Sequence, residues 1–149
     1  MSYSDLRRGR YSEPGREYFV TTVVQGRQPL FADLLLARSF IGVLRETEEA
    51  GLGVWLAWVL MPDHFHGLVS LGTCGTLSDL MKQVKGASAR LLNQRLGRKG
   101  SVWQPAFYDH ALRKDEDRIG TARYIVANPL RAGLVSRLGD YPHWDSVWV

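Results

Sequence analysis

The hydrophobic pattern of this chain changes period several times, and each change marks an element. "EYFVTTVV" (17 to 24) is β-branched and aromatic, which predicts a first strand. "GRQPLF" turns the chain. From 32 to 50, Leu34, Leu35, Ala37, Arg38, Ile41, Leu44, Arg45 and Glu48 repeat at helical spacing with one apolar face, and Gly51 and Gly53 end the run. "VWLAWVLM" (54 to 61) predicts a second strand, Pro62 and Asp63 a break, and "FHGLVSL" (65 to 71) a third strand folded back on the second as a hairpin. A long helix is expected over 77–96 and a fourth strand over 107–113. A further helix is expected over 116–127, stopped by Pro129, and the aromatic end of the chain reads as irregular.

The order β-α-β-β-α-β-α predicts an α+β fold: a ferredoxin-like β-α-β-β-α-β antiparallel sheet with an added C-terminal helix. Residues 1–16 read as a basic flexible arm and 17–149 as a single domain.

Composition narrows this little. A chain of 149 residues suits one domain, and one of that size buries roughly 70% of the surface its unfolded form exposes. The 45% hydrophobic and 23% charged residues are ordinary for a soluble globular protein. No apolar run reaches the ~20 residues that span a bilayer, and the arginine-rich start lacks the apolar stretch of a signal peptide, so no membrane partner is expected. Cys74, the one cysteine, excludes an internal disulfide, fits a reducing compartment and reads as a bystander.

The net charge of +4 matters less than its placement. Lys82, Lys85, Arg90, Arg95, Arg98 and Lys99 occur in one span without an acidic residue. Such a surface either neutralises phosphates or is a solvated helix face. Arg7, Arg8, Arg10 and Arg16 add a second basic segment.

Three stretches carry candidate chemistry. In "MPDHFHGLVSL", His64 and His66 are at i and i+2, so on a strand both face one side while Phe65 faces the other. They form either a two-histidine metal clip or a hydrogen-bonded surface pair. Asp63 is the one carboxylate beside them and is expected to point away, so a third ligand has to come from elsewhere. In "RYIVANPLRAGLV", Tyr124 and Asn128 share a helix face one turn apart. They are either a reactive pair at a helix end or a core tyrosine beside a helix-terminating asparagine. In "WQPAFYDHALR", His110 either faces the site of the histidine pair, supporting its ligands, or hydrogen-bonds locally. Tyr141, Trp144 and Trp148 in the tail either pack on the domain or stack on unpaired bases.

"GREYFVTTVV", "MPDHFHGLVSL", "MKQVKGASARLLN", "VWQPAFYDHALR" and "YIVANPLRAGLV" occur in this order from about residue 16 onward. Together they resemble the single-tyrosine HUH transposases, and in particular the REP-associated tyrosine transposases; Asn128, where the insertion-sequence branch has glutamine, resembles the REP-associated branch. The resemblance implies a bacterial, cytoplasmic, nucleoid-associated enzyme that cleaves and joins single-stranded DNA at hairpin-forming repeated palindromes through a 5′-phosphotyrosine. It implies Tyr124 as nucleophile, and His64, His66 and Asn128 as ligands of a divalent metal ion, Mg²⁺ or Mn²⁺. It implies a monomer, in contrast to the dimeric insertion-sequence relatives. On charge alone, Lys82, Lys85, Arg90, Arg7, Arg8 and Arg10 are the candidate DNA contacts. The alternative is a hairpin DNA-binding protein with little or no catalysis.

Overall fold

The computed structural model of the chain describes residues 12–148. Five antiparallel strands form one sheet in the order β4-β1-β3-β2-β5: β1 is Glu17–Val23, β2 Gly53–Met61, β3 His64–Leu71, β4 Tyr108–Ala111 and β5 Trp144–Ser146. The first four follow the ferredoxin-like arrangement. The fifth, a three-residue edge strand on β2, lies in the tail that reads as irregular from sequence. Residues this short carry no alternation to detect; β2 imposes the extended form through the ladder pairing Val59 with Trp144 and Ala57 with Ser146.

Helices α1 (Leu34–Glu49) and α2 (Leu77–Leu96) cover one face. Each starts at a capping side chain: Asp33 accepts from the Leu35 and Leu36 amides, and Thr76 and Asp79 form a reciprocal capping box. Phe31, Phe40, Leu44, Leu80, Met81 and Val84 from this side meet Tyr18, Val20, Trp55, Phe65 and Val69 of the sheet. Helix α3 (Arg118–Val126) packs on the opposite face, where Ala122, Ile125 and Val126 meet Ala57, Val59, Met61 and Leu68. Strand β2 is therefore apolar on both sides, and an irregularity between Trp55 and Ala57 adjusts which residues face which core. Pro129 does not end the helical path. The chain breaks at Ala127 and resumes as a single turn, α4 (Asn128–Arg131), in whose first turn a proline sacrifices no hydrogen bond.

Residues 12–16 are tied down: Ser12 accepts from the Leu77 amide, and Gly15 and Arg16 pair with Leu71. The arm expected over 1–16 is thus docked at its end nearest β1, and Arg7, Arg8 and Arg10 lie outside the described residues. The tail also docks: Tyr141, Trp144 and Trp148 pack on the α3 core, and the Tyr141 hydroxyl donates to the Leu60 carbonyl.

Phe65 anchors β3 from beneath. It is fully buried, 5.0 Å from Phe40 and 5.4 Å from Trp55 between ring centroids. Gly67, next on the same side, makes room for these rings; a Cβ there would lie 2.6 Å from the Trp55 ring and 2.9 Å from that of Phe65. Phe65→Ala is expected to cost about 3–5 kcal/mol of stability, read as a lower midpoint in denaturant titration.

Candidate active site

Antiparallel pairing places directly opposed residues on one face. On the α3 side, Tyr108, Thr21, His66, Val59 and Trp144 form one row across the five strands; His110, Phe19, Leu68, Ala57 and Ser146 form the next. His64 lies between Val23 and Met61 at the end nearest the β2–β3 turn. The rings of His64 and His66 stand edge to face with centroids 4.7 Å apart, as the i, i+2 spacing requires.

The outer nitrogen of each imidazole is held. His64 Nδ1 is 2.7 Å from Asp63 Oδ1, and His66 Nδ1 is 2.7 Å from Thr21 Oγ1. Asp63 therefore does not point away as expected from strand alternation. It sits in the turn before β3, where the two-residue period does not apply, and its other oxygen accepts from Arg27 at 3.2 Å. Burial works to raise the Asp63 carboxyl, but the hydrogen bonds and charges of His64 and Arg27 outweigh it and hold it below the usual carboxylate value.

Burial, with the charges of His64 and Arg131, pushes His66 down to about 4, so at neutral pH it is the neutral imidazole that can ligate a metal. With a proton on Nδ1, each ring donates to its holder and keeps the lone pair on Nε2.

Asn128 reaches this pair from the start of α4, its Nδ2 3.4 Å from His64 Nε2. The two ends of the carboxamide exchange on a half turn about the terminal bond, which would bring Oδ1 to the same side. Among the described residues no three His, Cys, Asp or Glu side chains cluster as a metal site. The donor set available is thus two imidazole nitrogens and one amide oxygen. Three neutral ligands leave positions open for phosphate oxygens, which suits a divalent cation in a catalytic rather than a closed structural site.

Tyr124 is one turn before Asn128 but on the surface. At 59% exposure it is not a core tyrosine, and the Arg131 guanidinium lies 3.9 Å over its ring. Tyr124 forms part of the wall of a cavity of about 440 Å³ that also includes Phe19, His110, Glu116 and Thr121. His110 shares the face of His66, but Phe19 stands between them, stacked on His66 at 5.6 Å. The Nε2 of His110 is instead engaged by Glu116 at 3.0 Å, so His110 belongs with Tyr124 rather than behind the histidine pair.

The basic helix α2 lies on the other side of the sheet. Lys82 and Arg90 are exposed there. Lys85 is a correction to the reading from charge alone: its ammonium is half-buried and donates to the carbonyls of Gln104 at 2.8 Å and Ala106 at 3.2 Å. Burial lowers its pKa, and its charge fastens the loop before β4 instead of projecting to solvent. Asp63, Thr21 and Arg131 are the site residues that motif spacing missed. An acid directly before the histidine strand and a basic residue one turn after Asn128 were the available signals.

The family model for IS200-like transposases matches residues 15–128. The chain belongs to the IS200-like transposase family. Within this family of DNA-processing enzymes it is similar to the REP-associated tyrosine transposase of Escherichia coli K12, with 31% identity over 87 residues that cover 58% of this chain and 50% of that protein. It is also similar to a provisionally named REP-associated tyrosine transposase of Haemophilus influenzae, 27% identical over 139 residues, covering 87% of this chain and 78% of that one. The chain thus spans about half the length of the first relative and more of the second. The fold matches a solved REP-associated tyrosine transposase bound to a REP hairpin, with a TM-score of 0.75, 25% identity, and coverage of 91% of this chain and 79% of the other. Among the described residues of this IS200-like transposase, no helix is long and apolar enough to cross a membrane.

Proposed function

We propose that this transposase cleaves and rejoins single-stranded DNA beside hairpin-forming palindromes, through a 5′-phosphotyrosine at Tyr124 and with a divalent metal held by His64, His66 and Asn128. The observation that carries this reading is the approach of Asn128 to His64 within one chain, with Tyr124 one turn upstream on the same helical path. The match to a transposase bound to a REP hairpin supports the substrate class.

A bound Mg²⁺ or Mn²⁺ would supply charge neutralisation at the scissile phosphate. The chain's residues do the rest. Thr21 and Asp63 fix the imidazoles so that both lone pairs are presented without reorganisation. Arg131 restrains the Tyr124 ring from one face and adds positive charge close to where the phosphate must sit. The Tyr124 oxygen attacks phosphorus and the bond to the 3′-oxygen breaks, leaving a phosphotyrosine and a free 3′-hydroxyl. One phosphodiester replaces another, so attack by a second 3′-hydroxyl reverses the step without an external energy source. All the residues required come from one chain, which supports action as a monomer.

The test uses 3′-labelled hairpin oligonucleotides with randomised single-stranded flanks, incubated with the protein and Mn²⁺. A labelled product that stays with the protein under denaturing conditions is expected; cleavage without such a product, or none with any divalent metal, contradicts the reading. Asp63→Asn is expected to weaken Mn²⁺ binding by about 10–100-fold in calorimetric titration, because His64 loses the carboxylate that orients it.

A further inference from the structure

Tyr124 needs a base. Attack on phosphorus requires the tyrosine oxygen to give up its proton as the new bond forms. His66 and His64 are committed to the metal in the reading above, and Phe19, stacked on His66, is also part of the wall of the cavity beside Tyr124. That cavity is lined by a further histidine, His110.

We infer that His110, oriented by Glu116, is the general base that takes the Tyr124 proton during strand cleavage and returns it during rejoining. This rests on the phosphotyrosine reading above. His110 projects from β4 opposite Phe19, and its ring is partly exposed to the cavity that Tyr124 lines from α3. Its Nε2 lies 3.0 and 3.1 Å from the two oxygens of Glu116. Glu116 is itself fixed, since its Oε1 accepts from the Arg113 amide at 2.9 Å. The Arg113 amide first, and the hydrogen bond from His110 next, keep this carboxyl below its usual value and therefore ionised. An ionised Glu116 accepts from Nε2–H, which selects the tautomer with its lone pair on Nδ1. Tyr124, His110 and its orienting carboxylate thus line one cavity, and they are the three kinds of group by which enzymes activate weak nucleophiles.

The step balances. The Oη–H proton passes to Nδ1, the Oη–P bond forms, the P–O3′ bond breaks, and the departing 3′-oxygen takes a proton from solvent. Rejoining runs the transfers backwards from the imidazolium, which Glu116 stabilises. The other groups around His110 are accounted for. Asp117 caps α3 through the Gly120 amide, Arg118 pairs with Glu17, Arg113 pairs with Asp115 and Glu116, and Tyr108 meets Phe19 edge-on. Arg131 sits on the Tyr124 ring.

The experiment measures the single-turnover rate of adduct formation on the 3′-labelled hairpin pool with Mn²⁺, from pH 6 to 9.5. His110→Ala is expected to lower the rate about 10²–10³-fold at pH 7, with the deficit shrinking as pH rises and hydroxide replaces the missing base. Added imidazole should restore part of the rate to His110→Ala and none to the wild type. Glu116→Gln should lower the rate about tenfold and respond to pH in the same sense. His110→Gln, which keeps a polar group facing Glu116, serves beside the alanine variant in case the latter folds poorly. A deficit equal at every pH and indifferent to imidazole, or a rate within about twofold of wild type in either variant, would overturn the inference and leave the phosphotyrosine reading standing. A Tyr124→Phe protein that still forms the adduct would overturn that reading, and the inference with it.

Discussion

Tyr124→Phe is expected to lower formation of the proposed covalent protein–DNA product by more than about 10⁴-fold, while hairpin binding stays within about twofold of wild type. Both halves of this expectation come from the position of the residue. In the proposed mechanism the hydroxyl is the atom that joins the phosphate, and phenylalanine lacks it. The ring is exposed and rests under Arg131, a contact phenylalanine keeps, so neither the fold nor the surface around it changes. A denaturing gel reads the product and a native gel reads the binding. A loss of binding equal to the loss of product would mean that Tyr124 contributes to DNA recognition rather than to the chemistry.

His66→Ala is expected to have the second largest effect. Mn²⁺ affinity falls below the range of calorimetric titration, and adduct formation drops by about 10³-fold or more at fixed Mn²⁺, since too few ligands remain to place the metal. The neighbouring groups explain why this histidine is more demanding than His64. It holds Thr21 through Nδ1 and Phe19 through stacking, and burial keeps it neutral. Restoring a coordinating side chain with His66→Gln should recover part of the metal binding, whereas a role in packing alone would leave metal binding intact in both variants. Electron paramagnetic resonance of bound Mn²⁺ gives a readout that does not depend on DNA.

Much of this site is legible in the sequence because two short-range rules suffice for it. Alternation on a strand places His64 and His66 together, and a four-residue spacing along one helical path sets Tyr124 one turn before Asn128. The contact that joins the pairs spans 64 positions and has no local signature. It depends on α3 crossing the far side of the sheet from α1 and α2, and the stripe that puts it there is only Ala122, Ile125 and Val126. The sheet order followed from element order, but β5 did not, since its extended form comes from its partner. Two side chains were misread for physical reasons. Asp63 sits where alternation stops and folds onto His64. Lys85 carries a charge whose direction composition does not encode, and its long stem lets the ammonium turn inward to two carbonyls.

In the proposed mechanism one chain brings a metal-binding histidine pair and a tyrosine nucleophile to the same phosphate. The most direct measurement is mass spectrometry of the covalent product after trypsin and nuclease digestion. The peptide running from Tyr124 to Arg131 should carry a 5′-linked nucleotide on Tyr124, and only when a divalent metal was present. A nucleotide on any other residue, or the same adduct formed in the presence of excess chelator, would rule out metal-dependent attack by Tyr124.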